Sequence, residues 1–187
     1  MGCEVYTYND LTDRIGKCRA EIMLISGDGF ARINKNNIYQ VFFNEEITPE
    51  ERIRFTQAHE LGHIVLNHLV DFDFLGIDEE KRIILDREAN AFASEILGPE
   101  IILFLMQCHN DIDSIHDICS ISYQAAEVKY RRLYNQFAMY LNEIRILLVK
   151  QFKGYINSFY DMNQHMQKKL SDIKCYRNEL GQYVCWN

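Results

Sequence analysis

The sequence predicts an α+β fold, in which a small antiparallel sheet of three strands packs on helices and a helical extension follows. Two patterns carry this prediction. Short apolar runs separated by turn residues fill positions 21–43, and apolar residues at helical spacing dominate the chain from Thr48 onward. The length of 187 residues is enough for one domain with an appendage.

The composition excludes several classes of protein. Apolar residues make up 48% of the chain and charged residues 25%, which is typical of globular domains and excludes a disordered or collagen-like chain. The longest apolar run, Ile101 to Met106, is too short to span a bilayer, and the residues after Met1 lack the segments of a secretory signal. We therefore expect a cytoplasmic protein without a membrane span.

The cysteines are scattered and form no Cys-x-x-Cys pair, which gives no support to a zinc finger or a thioredoxin-like motif. They are Cys3, Cys18, Cys108, Cys119, Cys175 and Cys185. We interpret most of them as small buried apolar residues.

The first 43 residues predict a short helix and then three strands. Asn9 to Lys17 has the pattern of a helix, and Glu21–Ser26, Gly29–Asn34 and Ile38–Phe43 are short apolar runs. Gly-Asp and Lys-Asn-Asn turn sequences separate the runs. An antiparallel meander is the simplest arrangement of these strands.

A helix is predicted to begin after Thr48 and to continue to about His68. Thr48 is suited to cap it, Pro49 to occupy its first position, and Glu51 to complete a capping box. An Asp- and Gly-rich loop is expected from Asp71 to Glu80.

A second helix is predicted from about Lys81 to Leu97, where Gly98 and Pro99 end it. Pro99 opens a third helical segment, and residues 112–133 have the pattern of two short helices joined around Ser120–Ser122.

The charge is divided unevenly along the chain, whose formal net charge is −7. Residues 1–134 contain 23 acidic and 13 basic side chains, whereas residues 135–187 contain 4 acidic and 7 basic ones. We therefore predict a domain over 1–134 and a C-terminal helical extension over 135–187, whose helices are a possible dimer surface. An acidic domain disfavours direct binding to nucleic acid.

The segment His59-Glu60-Leu61-Gly62-His63 has the spacing of a zinc site. Two histidines four residues apart on a helix project from one face and can bind one zinc ion. Glu60, beside them, is suited to accept a proton from the attacking water and to deliver it to the leaving amine.

A third ligand is expected on the second helix, because a catalytic zinc has three protein ligands and one open position. A helical-wheel count places Asp86 and Asn90 toward the apolar stripe of that helix and Glu88 just outside it. We predict Asp86 as the ligand, with Glu88 as the alternative. Asn90 is predicted to orient a zinc-bound imidazole, or else to be a buried amide bonded to the backbone.

These segments resemble the ImmA/IrrE family of zinc-dependent metallo-endopeptidases. The resemblance rests on RFTQAHELGHIVLNH at 54–68, DREANAFASEILGP at 86–99 and ISYQAAEVKYRRL at 121–133, and covers roughly residues 20–134. It implies a zincin-like fold, zinc held by His59 and His63, and Glu60 as catalytic acid and base. The family usually has Glu where this chain has Asp86, which keeps Glu88 open as a ligand.

The resemblance also implies a substrate class and a partner. Members of the family act as anti-repressors on phage-type helix-turn-helix repressors, so the expected activity is hydrolysis of a peptide bond in a cytosolic repressor. The alternative is a regulatory protein that binds or sequesters a repressor without cutting it.

Other residues have weaker assignments. Either of the strands 29–34 and 38–43 could hold an extended substrate at a sheet edge, and Tyr123 or Tyr130 could stabilise an oxyanion. His68 is predicted to be a surface or capping residue, since a five-residue step turns it away from the ligand face. Residues 112–134 mimic a helix-turn-helix, but acidic side chains cancel its basic ones.

Overall fold

The computed structural model describes residues 2–71, 78–106, 111–135, 140–141, 143–159, 174–177 and 183–186. The chain divides into two compact units, Met1–Leu97 and Gly98–Asn187. The boundary near residue 135 that the charge pattern indicates falls inside the second unit and stays a prediction.

The first unit combines one sheet with helices, and the predicted α+β class is confirmed. In chain order its elements are β1 (Cys3–Thr7), α1 (Tyr8–Ile15), α2 (Arg19–Ser26), β2 (Gly29–Ile33), β3 (Tyr39–Phe43), α3 (Glu50–Val65), α4 (His68–Asp71) and α5 (Glu79–Leu97). Residues 72–77, in the middle of the predicted Asp- and Gly-rich loop, lie outside the described residues, and Glu79 and Glu80 already belong to α5.

The sheet is mixed, so the prediction of an antiparallel meander is wrong. Its strand order is β1-β3-β2; β2 pairs antiparallel with β3, as expected, whereas β1 pairs parallel with β3. The third strand is therefore the unpredicted segment Cys3–Thr7. Because β3 is central, β1 and β2 are the edge strands of this sheet among the described residues.

Residues 21–26, predicted as a strand, form most of α2 instead. The Glu21 carboxylate accepts a hydrogen bond from the Cys18 backbone N–H at 2.8 Å, which satisfies one of the donors at the start of a helix. Gly27, at φ 63°, ends the helix and donates its N–H to the Met23 carbonyl. These hydrogen bonds at both ends favour a helix over the strand that the apolar run predicted. Tertiary packing does not require a strand here, because Ile22 is the buried residue of α2.

One face of the sheet packs on α1 and α2. The Phe42 ring stacks between Tyr6 and Phe30, with centroids 5.3 and 4.8 Å away. The fully buried residues of this cluster are Tyr8, Leu11, Ile22 and Phe42. The opposite face is directed to α3, where Val41 lines an open apolar pocket with Ala58 and Leu61.

The predicted capping of α3 is wrong, although the helix is present. The helix begins at Glu50 after Pro49, and no side chain caps it. Thr48 lies one residue too early to act as the cap. The helix ends at Val65 rather than His68, because Asn67 has the left-handed φ of 61° and interrupts the helical path before α4.

The second unit contains helices and a small second sheet. Its elements are α6 (Glu100–Leu105), α7 (Ile112–Cys119), α8 (Tyr123–Asn135), β4 (Tyr140–Leu141), α9 (Glu143–Phe159), β5 (Lys174–Arg177) and β6 (Tyr183–Trp186). The helix pair predicted over 112–133 is confirmed as α7 and α8. Across the described residues, no helix is both long and apolar enough to cross a membrane.

The described part of the predicted C-terminal helical extension, 135–187, is only partly helical. Residues 143–159 of the predicted helical extension form α9, although Leu147 and Phe152 on it are exposed. β4, β5 and β6 form an antiparallel sheet of order β4-β6-β5 that was not predicted. The sequences KCYR and YVCW of β5 and β6 contain the aromatic and β-branched residues that favour strands. Met166, Leu170 and Ile173, which continue the apolar residues at helical spacing in the predicted extension, lie outside the described residues.

The cysteines differ in exposure. Cys119 is buried, as predicted, whereas Cys3 and Cys18 are exposed. Cys3 is on the edge strand β1 and Cys18 precedes the first turn of α2, so neither is covered by a packed element. Cys175 and Cys185 are opposite each other in the register of β5 and β6.

Candidate metal centre

Helix α3 places His59 and His63 one turn apart on the same side. Their Nε2 atoms lie 3.0 Å apart, and the two rings meet at 75°. His63 is buried, with 5% of its surface exposed. The i, i+4 spacing in the sequence thus corresponds to two converging imidazole nitrogens.

Helix α5 crosses α3 closely enough to bring a carboxylate to these nitrogens. At the crossing, a Cβ on Gly62 would lie 3.1 Å from the Ala89 Cα and 3.2 Å from the Ala89 carbonyl oxygen. This contact between two small residues places Asp86 Oδ1 3.5 Å from His63 Nε2. Single ligand atoms of His59, His63 and Asp86 all lie within 4.8 Å of one another.

Asn90, one turn beyond Asp86, contacts the outer nitrogen of His59. The His59 Nδ1 and Asn90 Oδ1 atoms are 2.9 Å apart. Because an amide oxygen only accepts hydrogen bonds, this pairing assigns the proton of His59 to Nδ1 and leaves its Nε2 unprotonated. The contact is the one that the wheel count expected of Asn90, and its role toward a bound metal stays a prediction.

His68 lies inside the protein, so its prediction as a surface residue is wrong. Only 2% of its surface is exposed. Its Nδ1 is 3.0 Å from His63 Nδ1, and its Nε2 is 3.1 Å from Glu88 Oε2. The wheel count failed because it assumed a continuous helix, whereas the left-handed Asn67 redirects the chain.

The same arrangement separates Glu88 from the three converging ligand atoms. Its carboxylate pairs with His68, and its side chain is 55% exposed. Among the described residues, the group that could hold a metal ion is His59, His63 and Asp86. Asp86 as third ligand is therefore the prediction that this geometry favours over Glu88.

The donor set fits a zinc ion. Two Zn–N bonds of 2.0–2.1 Å at a tetrahedral angle separate the nitrogens by about 3.3 Å, close to the 3.0 Å between the Nε2 atoms. Burial first, and then the neighbouring His59 and His68, lower the pKa of His63 to about 4, so its ring is neutral at pH 7. Imidazole nitrogens and a carboxylate oxygen are ligand atoms that zinc accepts.

Glu60 follows His59 and is buried against strand β2. Only 8% of its surface is exposed. Burial, together with the charge of Asp86, raises the pKa of Glu60 to about 7, although a hydrogen bond from the Ala31 backbone opposes this rise. A Cβ on Gly29 would lie 2.5 Å from Thr56 and 3.5 Å from the Glu60 side chain. Strand β2 therefore needs a glycine where it crosses α3.

Strand β2 is also the edge strand beside the site. Within the described part of the chain β3 is its strand neighbour on one side and no strand pairs on the other, and the Ala31 backbone at its centre hydrogen-bonds Glu60. The expectation that the strand 38–43 could offer an edge is wrong, because β3 is the central strand. Only the strand 29–34 stays a candidate for pairing with an extended substrate.

The second unit holds the other sequence candidates. Tyr123 stacks on His116 with ring centroids 4.0 Å apart, and Tyr130 is half-buried on α8. Their assignment to an oxyanion stays a prediction.

The basic residues of α8 are engaged within the protein. Lys129 is buried, with 2% exposed. Arg131 pairs with Glu127 at 2.6 Å, and Arg132 with Glu100 at 3.4 Å. Acidic partners therefore offset the charges of Arg131 and Arg132, as the sequence indicates for residues 112–134.

The sequence analysis missed two features of the site, which are the burial of His68 and the close approach of Gly29 to Thr56. Asn67 offered a signal for His68, because asparagine is one of the few residues that adopt a left-handed conformation and end helices. The close contact of Gly29 with Thr56 offered no sequence signal, since it depends on how the sheet packs on α3.

The profile of peptidase family M78, described as the IrrE N-terminal-like domain, matches residues 14–141. No curated protein matches the chain significantly. The matched range includes α3 and α5 and therefore every residue of the metal centre.

Proposed function

The chain belongs to peptidase family M78, the IrrE N-terminal-like domain, and on this premise we propose that it is a zinc-dependent endopeptidase. The family implies peptidase activity in general. The observation that carries the finer proposal is the convergence of His59, His63 and Asp86 ligand atoms within 4.8 Å, directly beside a buried carboxylate.

Each residue has a distinct task in this proposal. His59, His63 and Asp86 would hold the zinc ion, and a zinc ion there would supply Lewis acidity toward the scissile carbonyl and the attacking water. Glu60 accepts a proton from the attacking water and passes it to the nitrogen of the leaving amine. Asn90 holds the His59 ring by accepting the Nδ1 hydrogen bond.

The open edge of β2 supports a protein substrate. An extended segment pairs with an edge strand through backbone hydrogen bonds, and β2 crosses α3 at Thr56 and Glu60. Such pairing would carry a peptide bond past the catalytic carboxylate. We propose a phage-type helix-turn-helix repressor in the cytoplasm as that substrate, following the family resemblance of the sequence.

The mechanism is tested by replacing Glu60 while leaving the ligands in place. The chain is co-expressed with a candidate helix-turn-helix repressor, and the cut termini are measured by mass spectrometry. Glu60→Gln is expected to slow cleavage by about 10²–10⁴-fold, because general acid–base catalysis contributes that much. Glu50→Gln, which changes an exposed carboxylate at the start of the same helix, is the matched control and is expected to cleave normally.

The same experiment distinguishes cleavage from sequestration. If Glu60→Gln cleaves the repressor at the wild-type rate, the proposed mechanism is wrong. If Glu60→Gln stops cleavage but still relieves repression of a reporter gene, the chain regulates by binding rather than by hydrolysis.

A further inference from the structure

His68 is a polar side chain in a buried position, where apolar side chains are more usual. It is 2% exposed, at the start of α4 and directly after the left-handed Asn67. Burying an imidazole costs free energy unless both of its nitrogens form hydrogen bonds. Both have partners here, one on α3 and one on α5.

The direction of these hydrogen bonds follows from the acceptor at one end. A carboxylate oxygen accepts hydrogen bonds, so His68 donates its Nε2–H to Glu88 Oε2 across 3.1 Å. The Nδ1 of His68 then carries no proton and accepts from Nδ1–H of His63 across 3.0 Å. This leaves Nε2 of His63 unprotonated and directed toward His59 Nε2 and Asp86 Oδ1.

We propose that His68 and Glu88 are positioning residues for the metal centre, and that their hydrogen-bond chain fixes the ring orientation and the tautomer in which His63 binds zinc. The inference rests on the proposed zinc site. It adds to the three ligand residues a series of hydrogen bonds from His63 through the buried His68 to Glu88. The Glu88 side chain, where the series ends, is 55% exposed.

This series of hydrogen bonds means that the two histidine ligands have different partners at their outer nitrogens. His59 is oriented by Asn90, which lies on α5, whereas His63 is oriented by a residue beyond the end of its own helix. A partner at the outer nitrogen holds a metal-bound imidazole in place and increases its basicity. Loss of such a partner typically lowers metal affinity by about 10–100-fold.

The decisive comparison is His68→Leu against His68→Asn in the full-length chain. Leucine fills the buried space but accepts no hydrogen bond, whereas the asparagine Oδ1 can replace Nδ1 as the acceptor. Affinity for Zn²⁺ alone is measured by competition with a chromophoric chelator. We expect His68→Leu to lose about 10–100-fold in affinity and His68→Asn to retain most of it.

A purely structural role for His68 predicts the reverse order, because a buried site tolerates leucine better than asparagine. Thermal unfolding in the presence of chelator measures that structural effect separately. If His68→Leu binds zinc as tightly as the wild type, or if His68→Asn is as weak as His68→Leu at equal stability, the inference is overturned.

Glu88 gives a second test that does not disturb the core. Glu88→Ala removes the terminal acceptor and is expected to weaken zinc binding about tenfold. Glu88→Gln keeps an acceptor oxygen and is expected to weaken it less. Glu80→Ala changes an exposed carboxylate on the same helix and is the control without effect.

Failure of the inference is distinguishable from failure of the proposed function. If the wild-type chain does not bind zinc more tightly than His59→Ala, the metal site is wrong and the inference falls with it. If the wild type binds zinc and Glu88→Ala binds equally well, only the inference is wrong.

Discussion

Glu60 is a carboxyl group held where its charge is unfavourable. Its pKa, raised to about 7 by burial and by Asp86, means that the folded protein without metal binds a proton there more tightly than the unfolded chain does. The stability that this proton contributes is fully present below about pH 4.5 and is lost as the pH rises through about 7. His63, with its pKa lowered to about 4, has the opposite effect: its contribution is present above about pH 6.5 and is lost as the pH falls.

Replacing Glu60 isolates its part of this balance. In the presence of chelator, Glu60→Gln is expected to gain free energy of unfolding relative to the wild type. That gain should be larger at pH 8.5 than at pH 6 by about 1–2 kcal/mol. The measurement is urea denaturation at both pH values, with Glu50→Gln as the exposed control. An equal gain at both values would contradict a raised pKa at Glu60.

Single residues could be predicted from the sequence where their helix is continuous. Asp86 and Asn90 lie on the uninterrupted helix α5, so a wheel count of that helix placed both of them toward its apolar stripe. His68 lies past a left-handed residue, where the wheel count no longer applies. The spacing of His59 and His63 needed no tertiary information, because both lie within one helix.

The crossing of α3 and α5 at Gly62 is a close contact between the two helices that carry the candidate ligands. Its position leaves about 3 Å to the Ala89 backbone for any added Cβ, so the side chain at 62 sets the distance between the helices. Because His63 is on one helix and Asp86 on the other, this distance also sets the geometry of the ligands.

A larger side chain at this crossing should damage both stability and metal binding. Gly62→Val is expected to cost about 1–3 kcal/mol through overpacking and to weaken zinc affinity by moving α5. Gly154→Val is the matched control, because Gly154 is an exposed helical glycine whose Cβ would meet nothing within 4 Å. Chemical denaturation and zinc competition measure the two effects. Equal results for the two variants would show that the crossing does not control the site.

At the level of elements, the helices were more predictable than the sheet. Helices α5, α7 and α8 have long periodic patterns or clear end signals, such as Gly98 and Pro99 after Leu97. Strand β1 and helix α2 are short, and their states depend on contacts: β1 on pairing with β3, and α2 on the hydrogen bond between Glu21 and Cys18. Short apolar runs do not determine these outcomes by themselves.

In the molecule as a whole, the metal centre belongs to one unit. The three proposed ligand residues and the two proposed positioning residues all precede Gly98, where the second unit begins. The acidic character of the chain also concentrates there, with 18 acidic and 10 basic side chains in residues 1–97. A bound cation therefore adds its binding free energy to the folding of the first unit.

Zinc binding should accordingly slow amide hydrogen exchange more in the first unit than in the second. Zinc at about 1,000 times its dissociation constant stabilises the state that binds it by about 4 kcal/mol. Hydrogen exchange measured with zinc and with chelator is expected to slow most at the amides of α3 and α5, and less at those of α7 and α8. His63→Ala should abolish the difference between the two conditions. Uniform protection of both units would contradict the confinement of the site to the first.

The left-handed residue between α3 and α4 determines how a three-histidine spacing should be read in other sequences. Asn67 adopts φ 61°, a conformation that glycine and asparagine tolerate and that β-branched residues avoid. A chain with valine or isoleucine at this point would keep the same spacing but would continue its helix and direct the last histidine elsewhere. The residue before the third histidine, rather than the histidine alone, therefore indicates which relatives share the buried chain from ligand to carboxylate.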